Sequence, residues 1–332
     1  MTFDLITVGR VNMDLFAQDI GADFADITGF DVAVGGSPSN VAMGTSRLGL
    51  KTVAFTGVGD DTVGEFVLRY LADTGVMTDY IVRKPGKSTS LALMGVQPPS
   101  RFPLTFYRDD PADIHLTIDD AAGLPLAETR AVLLSGNAFS RGTCADAVRS
   151  VAEEASNRGL TTFMDLDLRP TDWSHPAAFG LTLRPVLPMV DVLIGTEEEF
   201  YTLLAPDPGT VAAGAPLAGD DHAVLEDLVA GLLSEGNVTT LILKRGGAGA
   251  TVLSGNERAD VPGFAVETVN TVGAGDSLAS GLIWSRLQGH DWYQACRFGN
   301  ACGAIVVTRH GCAAAFPTYD EVVDFAAAAG GL

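Results

Sequence analysis

Positive charge is scarce in this 332-residue chain: 21 lysines and arginines stand against 41 aspartates and glutamates, a net charge of −20. A field of that sign repels nucleic-acid backbones and anionic lipid, so neither is expected as a partner. Any anionic ligand must instead be caught by individually placed donors. No stretch approaches the roughly 18 apolar residues of a membrane span. The start, MTFDLITVGR, has neither the basic segment nor the long apolar segment of a signal peptide. The four cysteines, Cys144, Cys296, Cys302 and Cys312, form no CxxC pair. Reduced, buried thiols in a cytoplasmic protein are expected. The five histidines show no HxxxH or HExxH spacing, so nothing points to a zinc site built by the protein.

What the chain does have is glycine, 38 in all, and short apolar runs set between helical stretches. FDLITVG, KTVAFTGVG, AVLLSGN, TTFMDLD, DVLIGT and TTLILKRGG each read as a buried strand. Amphipathic stretches at 39–48, 62–73, 143–158 and 222–235 read as the helices between them. Such alternation predicts an α/β fold with a mostly parallel sheet covered on both faces, and ligands at the carboxyl ends of its strands. Two regions break the alternation, about 11–36 and 88–110. They read as strands without helices, a small antiparallel sheet that would lie beside the main domain as a lid. Alternation over 102–108 puts Phe102, Leu104, Phe106 and Arg108 on one face of it. Residues 205–222 read as a surface loop, and the whole of 1–332 as one domain. An exposed apolar outer face on the lid would suit a homodimer.

GKST at 86–89 imitates the end of a phosphate-binding loop, but Ile81 stands where the leading glycine belongs, and no GxGxxG follows the first strand. The run TVGAGDSLASGLIWSRLQG is different. Leu278, Ala279, Leu282, Ile283 and Leu287 form one helical stripe that starts at the glycines, where free N–H groups and the helix dipole make an anion site. Asp276, in the first turn, either complements the positive helix end or accepts a proton from a hydroxyl attacking a phosphoryl group held there. Upstream, GGSPSN at 35–40 reads as a strand–turn–helix with Asn40 in the first turn. NMD at 12–14 puts Asn12 and Asp14 on one side of the chain. Each reads as a cap or turn, or as a set of hydroxyl-binding groups.

The order NxD, GGxxxN, then TxGAGD resembles the ribokinase (PfkB) family of carbohydrate kinases, from about residue 4 to about 320. The resemblance implies a ribokinase-like three-layer sandwich with a β-sheet lid, and ATP-dependent, Mg²⁺-assisted phosphorylation of a sugar hydroxyl. It implies Asp276 as the catalytic base, with Gly273, Ala274 and Gly275 as the anion hole. Asn12, Asp14, Gly35, Gly36, Asn40 and Asp167 would then hold the sugar. Lys244, Gly246, Gly249 and Asn300, with Gly273 and Gly275, would hold ATP. Glu198 matches a glutamate that orders Mg²⁺ through water, although Gly195 replaces the asparagine usual before it. Asn270 stands where many members have aspartate, which leaves a monovalent-cation site open. FPLTFYRDDPAD at 102–113 and MDLDLRPTDW at 164–173 resemble the branch acting on 5-dehydro-2-deoxygluconate in inositol catabolism. That implies a six-carbon sugar acid whose carboxylate meets Arg108 and Arg169. A kinase of 2-keto-3-deoxygluconate, a fructokinase- or ribokinase-like enzyme, and a non-catalytic sugar-binding protein are the alternatives.

Overall fold

The computed structural model describes residues 1–97, 103–209, 211–236 and 238–332. Its main sheet has eight strands. In spatial order they are β14 (Glu257–Pro262), β13 (Gly249–Ser254), β12 (Thr240–Lys244), β11 (Val192–Thr196), β10 (Thr161–Asp165), β9 (Thr129–Ser135), β1 (Phe3–Val8) and β4 (Thr52–Phe55). From β4 to β12 neighbours pair in parallel, and β13 and β14 add an antiparallel hairpin at the edge. The parallel strands are almost wholly apolar because both faces are covered.

On one face lie α1 (Ser37–Arg47), α8 (Ala274–Leu287) and α9 (Trp292–Val307). Leu5, Leu133, Phe163 and Ile194 of the strands pack there with Val41, Leu278 and Leu282. The alternate strand residues, such as Ile6, Leu134, Met164 and Leu193, point the other way. They meet α4 (Cys144–Asn157), α5 (Ala178–Leu183), α6 (Glu197–Leu204) and α7 (Asp221–Ser234). This period-two division of each strand produces the three layers. The short α3 (Ile118–Ala121) packs on α4, and α10 (Tyr319–Ala328) on α9. Helix α2 (Thr62–Asp73) begins at an Asp61 cap and packs against the second sheet.

That second sheet is formed by β2 (Asn12–Ala17), β3 (Phe30–Gly35), β7 (Ser90–Met94) and β8 (Leu104–Tyr107). It is mixed rather than antiparallel throughout, because its central pair β2–β7 runs parallel. Between these two strands the chain passes through β3, α1, β4, α2 and the small β5–β6 pair (Gly57–Gly59 and Val82–Lys84). A crossover of that length returns the chain in its original direction, which a hairpin cannot do. Phe102 lies outside the described residues. KTVAFTGVG divides into two strands, because the segment after Phe55 leaves the main sheet to pair with β6.

Helix α8 packs against both α1 and α9, so its packing can be tested directly. Leu282 is fully buried, and Leu282→Ala is expected to cost about 2–5 kcal/mol in reversible denaturant unfolding through lost burial and the cavity left behind.

Candidate active site

Two cavities open where the parallel strands end. The larger, about 470 Å³, lies among the Gly246–Gly249 turn, Phe264, Leu278, Asn300 and Val307. The smaller, about 200 Å³, is walled by Ser37, Asp165, Asp167, Arg169, Glu199 and Asp276. Thr196, Lys244 and Gly275 line both, so the two spaces meet at the start of α8.

That start depends on Gly273. Its φ of +81° is left-handed, and a Cβ there would stand 2.6 Å from the Cys312 sulfur. No side chain caps α8; the Ala274 N–H reaches the Thr271 carbonyl at 3.3 Å, and the other N–H groups at this helix start remain for an anion between the two cavities. Asp276 then projects toward α1. Its Oδ1 accepts from Ser37 Oγ at 2.7 Å and its Oδ2 from Asn40 Nδ2 at 2.7 Å. Burial, with Asp167 nearby, raises its carboxyl above the usual range, while Asn40, Ser37 and Arg169 oppose the rise. Two donors fix the carboxylate and leave lone pairs facing the cavity.

Lys244, at the end of β12, reaches across to the end of β10. Its Nζ lies 3.0 and 3.2 Å from the two Asp165 oxygens and 3.8 Å from Glu199 Oε2. A Cβ built on Gly275 would be 3.6 Å from the same nitrogen, so the ammonium lies over the opening of α8. Burial would discharge Lys244, but Asp165 and Glu199 outweigh it and hold the ammonium protonated. Glu199 accepts from the backbone N–H groups of Leu168, at 2.9 Å, and Thr196, at 2.7 Å. The glutamate at the cavity is therefore Glu199, one residue beyond the expected Glu198, which does not line it. The α6 capping box, Thr196 with Glu199, turns that residue inward.

On the side of the second sheet, Asp14 is buried and accepts from Asn12 Nδ2. Burial pushes its carboxyl up to about 7, against the pull of Asn12 and Arg10. Gly35 is opposite: a Cβ there would come within 1.8 Å of the Asp14 carboxylate. At Gly36 a Cβ would come within 2.6 Å of the Arg10 carbonyl. Asp167 has a φ of +40°, alone among the described non-glycine residues in that region, and strain of this kind gathers at functional sites. Burial alone would raise its carboxyl, but Arg169, Arg10 and Ser135 hold it below the usual range. Arg169 Nη2 is 2.8 Å from Asp167 Oδ1, with the arginine side chain 44% exposed to the cavity.

Arg108 is placed differently from the expectation. Its two terminal nitrogens go to Asp113, at 2.8 and 3.1 Å, and one also to Ser90 Oγ, at 3.1 Å. Asp113 in turn accepts from Val11 N–H, and Ser90 donates to Val11 O. The arginine thus fastens the second sheet where the chain crosses between the sheets, and its fork is occupied. Ser37, Asp165 and Glu199 were absent from the sequence reading. The capping pattern Thr-x-x-Glu at 196–199 and the SPSN turn were the signals available for two of them.

In the larger cavity, Asn300 donates to the Val261 and Pro262 carbonyls, and its Oδ1 has no partner among the described residues. An orphaned acceptor in a mostly apolar pocket suits the amino edge of a base. No group of three or more metal-binding side chains occurs among the described residues. A divalent ion would therefore depend mainly on ligand phosphates, with Glu199 able to hold one of its waters. Asn270 is 1% exposed and engaged at both ends of its amide: one N–H donates to Gly311 O at 2.8 Å and its Oδ1 accepts from Val272 N at 3.0 Å. An NH₂ group already bridges these loops, so the residues present do not fit a monovalent cation there.

The pfkB family carbohydrate kinase profile matches residues 2–319. The chain is 32% identical over 327 residues to 5-dehydro-2-deoxygluconokinase 2 of Bacillus cereus, covering 97% of this chain and 94% of that one. It is 31% identical over 324 residues to 5-dehydro-2-deoxygluconokinase of Geobacillus thermodenitrificans, covering 97% and 92%. Among solved structures, an E. coli protein described as a ribokinase II, in complex with ATP and Mg²⁺, superposes with a TM-score of 0.83 at 25% identity, over 97% of this chain and 98% of that one. A fructokinase from Xylella fastidiosa superposes with a TM-score of 0.80 at 24% identity, over 98% of each, a likeness of fold.

The Asn270 bridge generates a prediction. Replacing Na⁺ by K⁺ at fixed ionic strength should leave turnover nearly unchanged, whereas Asn270→Asp, which substitutes an acceptor for the bridging donor, should introduce K⁺ dependence. Strong K⁺ activation of the unmodified enzyme would contradict it.

Proposed function

The chain belongs to the pfkB family of carbohydrate kinases, and on that footing we propose that it phosphorylates a hydroxyl of a six-carbon sugar acid, 5-dehydro-2-deoxygluconate, at the expense of ATP with Mg²⁺. The observation that carries this reading is the meeting of the two cavities at Gly275 and Lys244, with Asp276 on the acceptor side. The names of the Bacillus and Geobacillus relatives support the acid.

In this reading the larger cavity takes the nucleotide, with Asn300 Oδ1 facing the base and the Gly246–Gly249 turn beside the phosphates. Glu199 is the residue that would hold a water of Mg²⁺, whose charge would neutralise the phosphates when it is bound. Asp14, Asn12, Asn40 and Asp167 accept from or donate to sugar hydroxyls, in the space kept clear by Gly35 and Gly36. The acceptor hydroxyl loses its proton to Asp276 as its oxygen bonds to the terminal phosphorus. The bond from that phosphorus to the departing ADP oxygen breaks. The N–H groups of Gly273, Ala274 and Gly275, with Lys244, stabilise the charge on the transferring group. Arg169 reaches the same group or the substrate's acid. The second sheet acts as a lid that excludes water, which would otherwise compete for the phosphoryl group.

The outer face of that sheet aligns Leu15, Val32 and Leu93, with Tyr107 alongside. Val32 is 41% and Tyr107 61% exposed, so a second copy of the chain is the occupant we infer for it. Four buried, unpaired thiols suit a reducing cytoplasm.

A coupled assay over sugar acids and neutral ketoses tests the substrate. It should give the highest kcat/KM for 5-dehydro-2-deoxygluconate, and a preference for fructose would overturn the acid reading. Asp276→Asn keeps the shape of the site and removes the proton acceptor. It should cut kcat by ~10²–10⁴-fold with ATP binding retained, and near-normal turnover would refute the base assignment. The pH profile tests Asp14. Because its carboxyl titrates at about 7, acidification through that pH should protonate it and lower kcat/KM for the sugar. In Asp14→Asn the plateau should fall and the acid limb should move to lower pH.

A further inference from the structure

Arg169 lines the smaller cavity, Arg10 lies behind it against Asp167, and Arg108 stands in the second sheet's joint; the three differ in what they already hold. Arg108 has both terminal nitrogens engaged by Asp113 and Ser90, although its Nε is unpaired. Arg169 has a close ion pair with Asp167 at 2.8 Å. Arg10 has neither. It follows β1, where the chain turns into the second sheet, and it is 6% exposed. Among the described residues nothing accepts a hydrogen bond from its buried Nε–H. The nearest carboxylate oxygen, Asp167 Oδ2, is 3.9 Å away and already accepts from Ser135 at 3.0 Å. Its guanidinium carbon lies 5.5 Å from the centroid of the Phe106 ring, on β8 of the lid.

A guanidinium taken out of water without hydrogen-bonded acceptors is expensive. Burial works most against its charge, Asp167 opposes that, and Arg169 and Arg108 add repulsion. A ligand bearing its own carboxylate would remove this cost, because the planar fork matches two carboxylate oxygens. Neutral sugar hydroxyls would not, and Asp14 and Asp167 are better matched to those. The aromatic ring against the cation suits the same arrangement, since it stabilises charge without occupying in-plane donors.

We propose that Arg10 is the residue that receives the carboxylate of the sugar acid, with Phe106 closing over the pair. This deepens the sugar-acid reading and rests on it. The acid group would sit between the lid and Asp167, and Arg108 would have no direct part in recognition.

The test measures kcat and KM of the full chain for 5-dehydro-2-deoxygluconate and for fructose, in the unmodified enzyme, Arg10→Met and Arg10→Lys. For the acid, Arg10→Met should lose roughly tenfold to a hundredfold in kcat/KM, mostly through KM. KM for ATP and kcat/KM for fructose should change little, and Arg10→Lys should fall between. If Arg10→Met fails to fold, as judged by its melting transition, the same comparison in Arg10→Lys decides. Equal losses for acid and neutral sugar, or no loss for the acid, would overturn the Arg10 assignment while leaving the acid preference of the unmodified enzyme intact. An unmodified enzyme that prefers fructose would overturn both readings.

Discussion

The close crossing of α1 and α8 is the constraint on which the site depends. The two helices lie far apart in sequence, and Asp276 works as a bridge only because Ser37 and Asn40 meet it. That approach requires Gly44: a Cβ there would come 2.3 Å from Ser280 Oγ and 2.7 Å from the Phe316 ring. With the helices in contact, one carboxylate is shared between the turn that closes the second sheet and the helix that opens the anion site. A helix pair separated by one more methyl layer would leave Asp276 unpaired or facing solvent. Packing small residues at a crossing thus places a charged group to within a hydrogen bond.

The same constraint explains why so many buried polar atoms around the cleft are half satisfied. Asn12, Asn40 and Asn137 each have an orphaned Oδ1, and Arg10 an orphaned Nε. A folded protein rarely tolerates that many, since each costs free energy without its partner. Asn12, Asn40 and Arg10 lie beside residues that wall the smaller cavity or meet them directly, Asn40 on Asp276 and Arg10 on Asp167, and they suit a ligand rich in hydroxyls. The free energy withheld from folding is recovered when that ligand binds.

Much of this was legible in the sequence because the chemistry sits in short, local patterns. Strand–helix alternation gave the parallel sheet, and the glycines before Asp276 gave the start of α8. The errors share one physical origin: they concern groups whose meaning depends on distant partners. Arg108 was expected to meet the substrate's carboxylate, yet it is taken by Asp113 and Ser90. Glu198 was chosen by spacing from Gly195, whereas the Thr196 cap fixes the phase of α6 and aims Glu199. The parallel β2–β7 pair required knowing how the chain returns. Arg10 stood out only through what it lacks, and an absence of partners cannot be read from a linear chain.

The balance of charge at the junction has one more consequence. Asp165, Asp167, Glu199 and Asp276 face Lys244 and Arg169 around the smaller cavity, a formal surplus of two negative charges if all are ionised. Burial raises both Asp165, up to about 7 despite Lys244, and Asp276, and the neighbouring carboxylates add to the rise. A bare polyphosphate entering from the larger cavity would meet this surplus and the −20 of the whole chain. It is admitted at lower cost when it brings a divalent cation with it. In the proposed reading the position of Lys244 fits that economy: its ammonium is held charged by Asp165 and Glu199 yet lies over Gly275, so a short swing would exchange carboxylate for phosphate. The acidic site is therefore selective in what it lets in, because the cations it owns are already engaged until a complete, metal-neutralised nucleotide arrives to compete for them.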